Sequence, residues 1–184
     1  LPLENTSATI YIIKPLETLE KYGYIEFTSR LETEITPEDI RSCDLAIFCR
    51  NQNPEYGWIL EECLARKILT IYNLDDNLWD VPQQLYYANF HREPKHIQQL
   101  EEYLGKVDLV IVYSKHLKNK VLAINPNIIV AKPCIDLNLT SPNPIQRQDG
   151  KIHLTYLTGR GNTDPLLSVF SEALHKIITC MLAR

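Results

Sequence analysis

The sequence predicts an α/β fold, a parallel sheet flanked by helices, and three observations predict it. Asp44 to Cys49, the β-branched run Ile68 to Tyr72 and the near-continuous apolar run Val107 to Tyr113 read as buried parallel strands. Segments with helical spacing of apolar residues lie between them. The run from Ile68 ends abruptly in Asn73, Asp75, Asp76 and Asn77, the way a buried parallel strand delivers its carboxyl end to a loop. In open α/β sheets that edge is where ligands sit.

Taken in order, Ala8 to Ile13 reads as a first strand. Pro15 opens a helix through Leu16, Leu19 and Tyr22, closed by Gly23, and Tyr24 to Thr28 reads as a short second strand. Thr36 before Pro37, with Asp39 three residues on, marks a short helix ending near Cys43. The strand Asp44 to Cys49 delivers Arg50 and Asn51 to the same rim as the aspartate loop. After Pro54 a helix carries Tyr56, Ile59, Leu60, Cys63 and Leu64 on one face.

Gln83 to Glu93 has no clean period and many aromatic residues, fitting a lid, a substrate-facing loop or a loosely packed connector. Pro94 to Leu104 is helical, with Ile97, Leu100 and Leu104 inward and Gly105 as its stop. Ser114 caps a helix carrying Leu117, Val121 and Ile124, and Asn127 to Ala131 is a sixth strand. Leu137 to Gly150 is rich in Asn, Thr, Ser, Pro and Gln and reads as a linker. Beyond it, Lys151 to Leu157 is a strand, Thr158 to Thr163 a glycine-bearing loop, and Asp164-Pro165 the start of a helix with Leu166, Phe170, Leu174, Ile177 and Met181 on one face. The expected organisation is a domain over 1–136, a linker over 137–150 and the opening of a second α/β domain over 151–184.

Composition excludes several classes. The 184 residues are 45% hydrophobic, enough for one well-buried domain, and the net charge of −4 with scattered basic residues gives no footprint for nucleic acid. No apolar run exceeds strand length, so a spanning helix is not expected, while a peripheral membrane contact stays open. Five cysteines without a C-x-x-C pair suggest reduced thiols in a cytoplasmic protein. Leu1 at the start and a helical pattern at the end suggest a fragment of a longer chain.

Asp75 and Asp76 have three uses open to them: accepting a sugar hydroxyl, serving as a general base toward one, or binding a divalent cation. Metal is the least supported, because no third carboxylate or His lies at a ligand-like spacing apart from Asp80, and a D-x-D motif is absent. A polar βα loop with helix-capping aspartates explains the same residues. Arg50 is placed to pair with this loop, for structure or for function. Ser114 is better read as a helix cap than as a nucleophile, since no G-x-S-x-G surrounds it. Gly159, Arg160 and Gly161 before a capped helix suit a phosphate, or a tight turn needing small residues.

With these residues laid out, the chain resembles the N-terminal half of GT-B glycosyltransferases of the group 1 (family 4) type. The resemblance rests on Phe48-Cys49-Arg50, on Thr70 to Pro82 with Asp75, Asp76 and Trp79, on Val107 to Ser114, and on Pro133-Cys134-Ile135-Asp136. It covers roughly residues 8–180, the aspartate loop being its most specific part. It implies two Rossmann-like domains across a cleft, the first taking the acceptor and the second the nucleotide sugar. Transfer would retain anomeric configuration, with no metal and no cofactor beyond the nucleotide-sugar co-substrate. On that basis Asp75 and Asp76 are the catalytic candidates, Arg50, Asn77, Trp79 and Ser114 bind substrate, and Gly159, Arg160 and Gly161 meet the donor phosphates. The acceptor would be a glycan, lipid, protein or small molecule, with Tyr86, Tyr87, Phe90 and His91 as its expected contacts.

Two departures stand out. Asn162 or Thr163 occupies the place where relatives often carry His, and Cys134-Ile135 interrupts the usual Pro-Asn-x-x-Asp ending. The paired-glutamate motif belongs to a part of the second domain that these residues do not include, so the chain by itself is expected to be inactive. A second expectation, a non-catalytic glycosyltransferase-like module for binding or assembly, fits the same features. A metal-dependent phosphohydrolase fits less well.

Overall fold

The computed structural model describes residues 6–83, 85, 87–133, 170–176 and 179–180. The chain enters through a continuous helical run made of α1 (Thr6–Ala8), a π-helical turn over Thr9–Ile13 and α2 (Lys14–Lys21). It then forms α3 (Pro37–Arg41), β1 (Leu45–Cys49), α4 (Trp58–Ala65), β2 (Leu69–Leu74), α5 (Ala88–Arg92), α6 (Pro94–Lys106), β3 (Leu109–Val112), α7 (Lys115–Val121) and β4 (Ile128–Val130). Short 3₁₀ turns occupy Glu32–Glu34, Pro54–Tyr56 and Leu78–Asp80. Among the described residues the four strands form one parallel sheet in the order β1-β2-β3-β4.

The expected strand over Ala8 to Ile13 is helical instead. Its β-branched residues favour a strand, but Ala8, Ile12, Leu16 and Leu19 also recur at helical spacing, and that period prevails. The Lys14 N–H bonds to the Thr9 carbonyl, so the widened turn falls directly before Pro15, which has no N–H to give the turn below it. Gly23 ends the run as expected, at φ 73°, with Tyr24 N–H on the Leu19 carbonyl at 3.1 Å and Gly23 N–H on Glu20 at 2.8 Å. With no strand before it, Tyr24 to Thr28 has no partner and forms none.

The strands and helices from α3 onward follow the sequence, except that α5 (Ala88–Arg92) is a short helix inside the segment read as a loop or connector, and α6 ends later than Gly105. Thr36 and Asp39 cap α3 reciprocally, the Thr36 N–H donating to Asp39 Oδ2 at 2.9 Å. Ile59, Leu60 and Cys63 of α4 and Leu100, Tyr103 and Leu104 of α6 are buried against the sheet row Phe48, Tyr72 and Val110. Each leucine that is fully buried this way contributes about 1.5–3 kcal/mol. Tyr103 lies with its ring edge toward Phe48, centroids 5.0 Å apart. The opposite row, Ile47, Ile71 and Leu109, is only half-covered, and Leu45, Leu69 and Ile129 on that side are exposed. At the carboxyl end of this second face Tyr11 stacks on Tyr113, centroids 4.1 Å apart.

Helix α6 passes through Gly105 and ends at Lys106, where a side chain from elsewhere stops it. Asn125 is buried, and its amide donates to the carbonyls of Leu104 at 2.8 Å and Val107 at 2.9 Å. Its Oδ1 accepts from the Asn127 N–H at 2.8 Å, so Asn125 joins the end of α6 to the start of β4. The expected linker over 137–150, the strand over 151–157 and the glycine loop at 159–161 lie outside the described residues. Residues 170–176 are helical, in keeping with the sequence.

Asn125→Ala leaves two buried carbonyls and one N–H unmet. It is expected to lower stability by about 2–3 kcal/mol, seen as a lower urea midpoint with an unchanged m-value.

Candidate functional site

The carboxyl edge of the sheet brings together the ends of β1 and β2. Arg50 follows β1 directly and holds a left-handed backbone, φ 61°, which costs a non-glycine residue about 1–2 kcal/mol. The surrounding loop over-determines it. The Cys49 N–H donates to Asn51 Oδ1 at 2.8 Å, the fully buried Tyr72 donates its hydroxyl to the Asn51 carbonyl at 3.0 Å, and Asn51 Nδ2 donates to Glu32 at 2.8 Å. Backbone strain held in place this way is a feature of functional sites.

The guanidinium then forks onto Asp75, Nε to Oδ1 at 2.9 Å and Nη2 to Oδ2 at 2.7 Å. Nη2 also meets Asp76 Oδ2. Asp75 is nearly buried, 6% exposed at its side chain, whereas Asp76 is 65% exposed. Burial works to raise the Asp75 carboxyl, but hydrogen bonds from Arg50 and Ser7 and the Arg50 charge hold it below the usual carboxylate range. Asp75 is therefore a fixed anion committed to Arg50, and Asp76 is the carboxylate this edge presents outward. One cation and two anions leave the cluster with a net negative charge.

Behind the edge the polar contacts continue. Asn73 is buried and accepts the Tyr113 hydroxyl at 2.7 Å, which links β2 to the Tyr11 stack. Cys49 lies beside it, its thiol pushed up to about 11 by burial and then by the Asp75 charge, so it stays protonated and unreactive. Burial likewise raises Glu32, opposed by its hydrogen bond from Asn51.

The structure gathers Arg50, Asp75 and Asp76 and holds the other candidates in local contacts. Ser114 accepts the Leu117 N–H at 3.1 Å as the cap of α7. Asn77 donates to Asp80 Oδ2 at 2.8 Å. Trp79 donates to Glu101 at 2.9 Å and lies under Lys120, whose Nζ is 4.9 Å from the ring centroid, so it pins the loop to α6 and α7. Gly159, Arg160, Gly161 and Tyr86 lie outside the described residues.

One side chain at this edge escapes a reading of residue types: Gln52, two residues after Arg50, meets His91 of α5, one of the expected acceptor contacts, through Oε1 and Nδ1. Its place beside Arg50 on the rim is the signal that could have found it. Among the described residues no group of three His, Cys, Asp or Glu is arranged to hold a metal ion, and no helix is long and apolar enough to cross a membrane. Comparison of the chain with protein-family models, with curated proteins and with solved structures gave no match.

Arg50→Ala loses the ion pair and keeps the strained backbone, whereas Arg50→Gly loses the pair and relieves the strain. The glycine variant is expected to be more stable than the alanine variant by about 1 kcal/mol in chemical denaturation. Asp75→Asn is expected to cost about 2–3 kcal/mol at pH 7, because it leaves a partly buried guanidinium short of its partner. The Asp75 contribution is present above the unfolded carboxylate range near pH 3.9 and is lost as pH falls through the lower folded-state value. Thermal melts of wild type and Asp75→Asn should therefore converge as pH is taken below about 4.

Proposed function

We propose that this chain is the acceptor-side domain of a nucleotide-sugar-dependent glycosyltransferase. The observation that carries the reading is the aspartate loop itself: a central parallel strand delivers Asp75 and Asp76 side by side, and Arg50 immobilises the first while the second faces outward. Asp76 then contacts a hydroxyl of the acceptor or of the transferred sugar, and the fixed Arg50 and Asp75 pair sets its position. Chemistry of this kind asks the protein mainly to hold two substrates in register and to stabilise a departing diphosphate. In this reading Gly159, Arg160 and Gly161 serve the diphosphate, transfer retains configuration, and no metal is required.

A second reading, a binding or assembly module without turnover, is favoured by one specific observation. Asp75 is buried under the Arg50 fork and Asp76 shares the same guanidinium, so of the two carboxylates only the exposed Asp76 can reach a substrate, and with one oxygen already engaged.

Nucleotide release from UDP-, GDP- and ADP-sugars by the native full-length protein, with cell-extract acceptors, separates the two. Release is expected with one donor class and to survive EDTA. Asp76→Asn is expected to lower acceptor-dependent kcat/KM about 10- to 100-fold, the worth of one charge-assisted hydrogen bond. No release from any donor by folded protein would leave the binding module as the better account.

A further inference from the structure

We infer that Gln52 and His91, with Asp76, form a corner that recognises an uncharged vicinal diol, as in a sugar or cyclitol, and discriminates against phosphorylated or carboxylated ligands at that point. The inference rests on the acceptor-side reading above and adds to it the ligand chemistry of one corner and the residue that positions it.

The argument begins with the hydrogen bond between Gln52 and His91. With the Gln52 carboxamide oriented so that its oxygen faces His91 Nδ1, the oxygen can only accept, and the proton between them belongs to the imidazole. In that orientation His91 is the Nδ1–H tautomer with its lone pair on Nε2. The groups around it agree with a neutral ring. Burial lowers its basicity, the Arg50 charge from the end of β1 and His96 from α6 add to this, and Asp76 from the β2 loop opposes them. Tyr87 and Phe90 meet the ring edge to face, at 5.6 Å and 5.4 Å between centroids, which fixes its plane.

Gln52 supplies the second, independent observation. It is 1% exposed, and its Nε2 finds no hydrogen-bond partner among the described residues. An unmet buried amide donor costs about 1–3 kcal/mol, which a hydroxyl oxygen seated at this corner would recover. The corner then offers two acceptors, the His91 Nε2 lone pair and the Asp76 carboxylate, together with one amide donor. Adjacent hydroxyl groups, each both donor and acceptor, complement that set. An anion does not, because it brings further acceptors toward a cluster of Arg50, Asp75 and Asp76 that is already net negative.

Gln52 is a positioning residue and acts through His91. The test is long-range ¹⁵N–¹H NMR of His91 in the full chain, its signal identified with His91→Asn, titrated with methyl glycosides and inositol and, separately, with inorganic phosphate. The expected result is a neutral Nδ1–H imidazole at pH 7 whose Nε2 shift moves saturably with the neutral polyols and not with phosphate. Gln52→Leu should release the tautomer preference and weaken the polyol response about tenfold, the worth of one neutral hydrogen bond. Gln52→Glu should restore the tautomer and move protonation of His91 to higher pH. A proton on Nε2, an absent polyol response, or an equal response to phosphate would each overturn the inference. Polyol binding in a protein that never releases nucleotide retires the transfer reading and keeps this corner, whereas nucleotide release with an unresponsive His91 does the reverse.

Discussion

Parallel strands in sequential order admit no hairpins, so every return connection must cross a face of the sheet, and with one crossover hand they all cross the same face. That constraint settles where everything else sits. Helices α4, α6 and α7 bury Phe48, Tyr72 and Val110 in a single core. All the strand ends point one way, so Arg50, Asp75 and Ser114 reach one rim although 64 positions separate the first from the last. Polar residues gather at that rim because the loops there are the part of a parallel sheet that neither the ladder nor the core consumes.

The same constraint explains what the sequence made legible. Strand β2 and its neighbours were readable because apolar residues run almost unbroken through Ile68 to Tyr72 and Val107 to Tyr113, although among the described residues the crossover helices cover only one face of the sheet and burial along β3 alternates. Caps were readable for a local reason: Thr36 with Asp39, Ser114 and Gly23 each satisfy backbone groups within a few residues of themselves. The entry segment was not. Ala8 to Ile13 carries β-branched residues and helical spacing together, and in the fold the helical period holds, with Tyr11 against Tyr113 and Ser7 on Asp75. Gly105 misled in the other direction, since the true end of α6 is set by Asn125 from another element.

At the site the sequence located the rim and its charges but not their division of labour. Two adjacent aspartates look equivalent in a string of letters. In the fold one is sealed under the Arg50 guanidinium and the other touches it from an exposed position, a difference of burial that arises only when β1 lies beside β2. Trp79, conspicuous in the sequence, is engaged by Glu101 and Lys120 in holding the loop down. Gln52 and His91 lie 39 positions apart and carry no mutual signal until α5 docks.

Asn125 has a consequence for the order in which the chain can settle during its synthesis. The carbonyls it caps belong to residues 21 and 18 positions earlier. Until residue 125 has left the ribosome, the end of α6 must keep those carbonyls in water, and β3 has a finished neighbour on one side only. The turn that opens β4 thus also caps the helix of the unit before it, and a nascent chain halted just short of that turn would hold one closed unit, a second without its helix cap and a third still open.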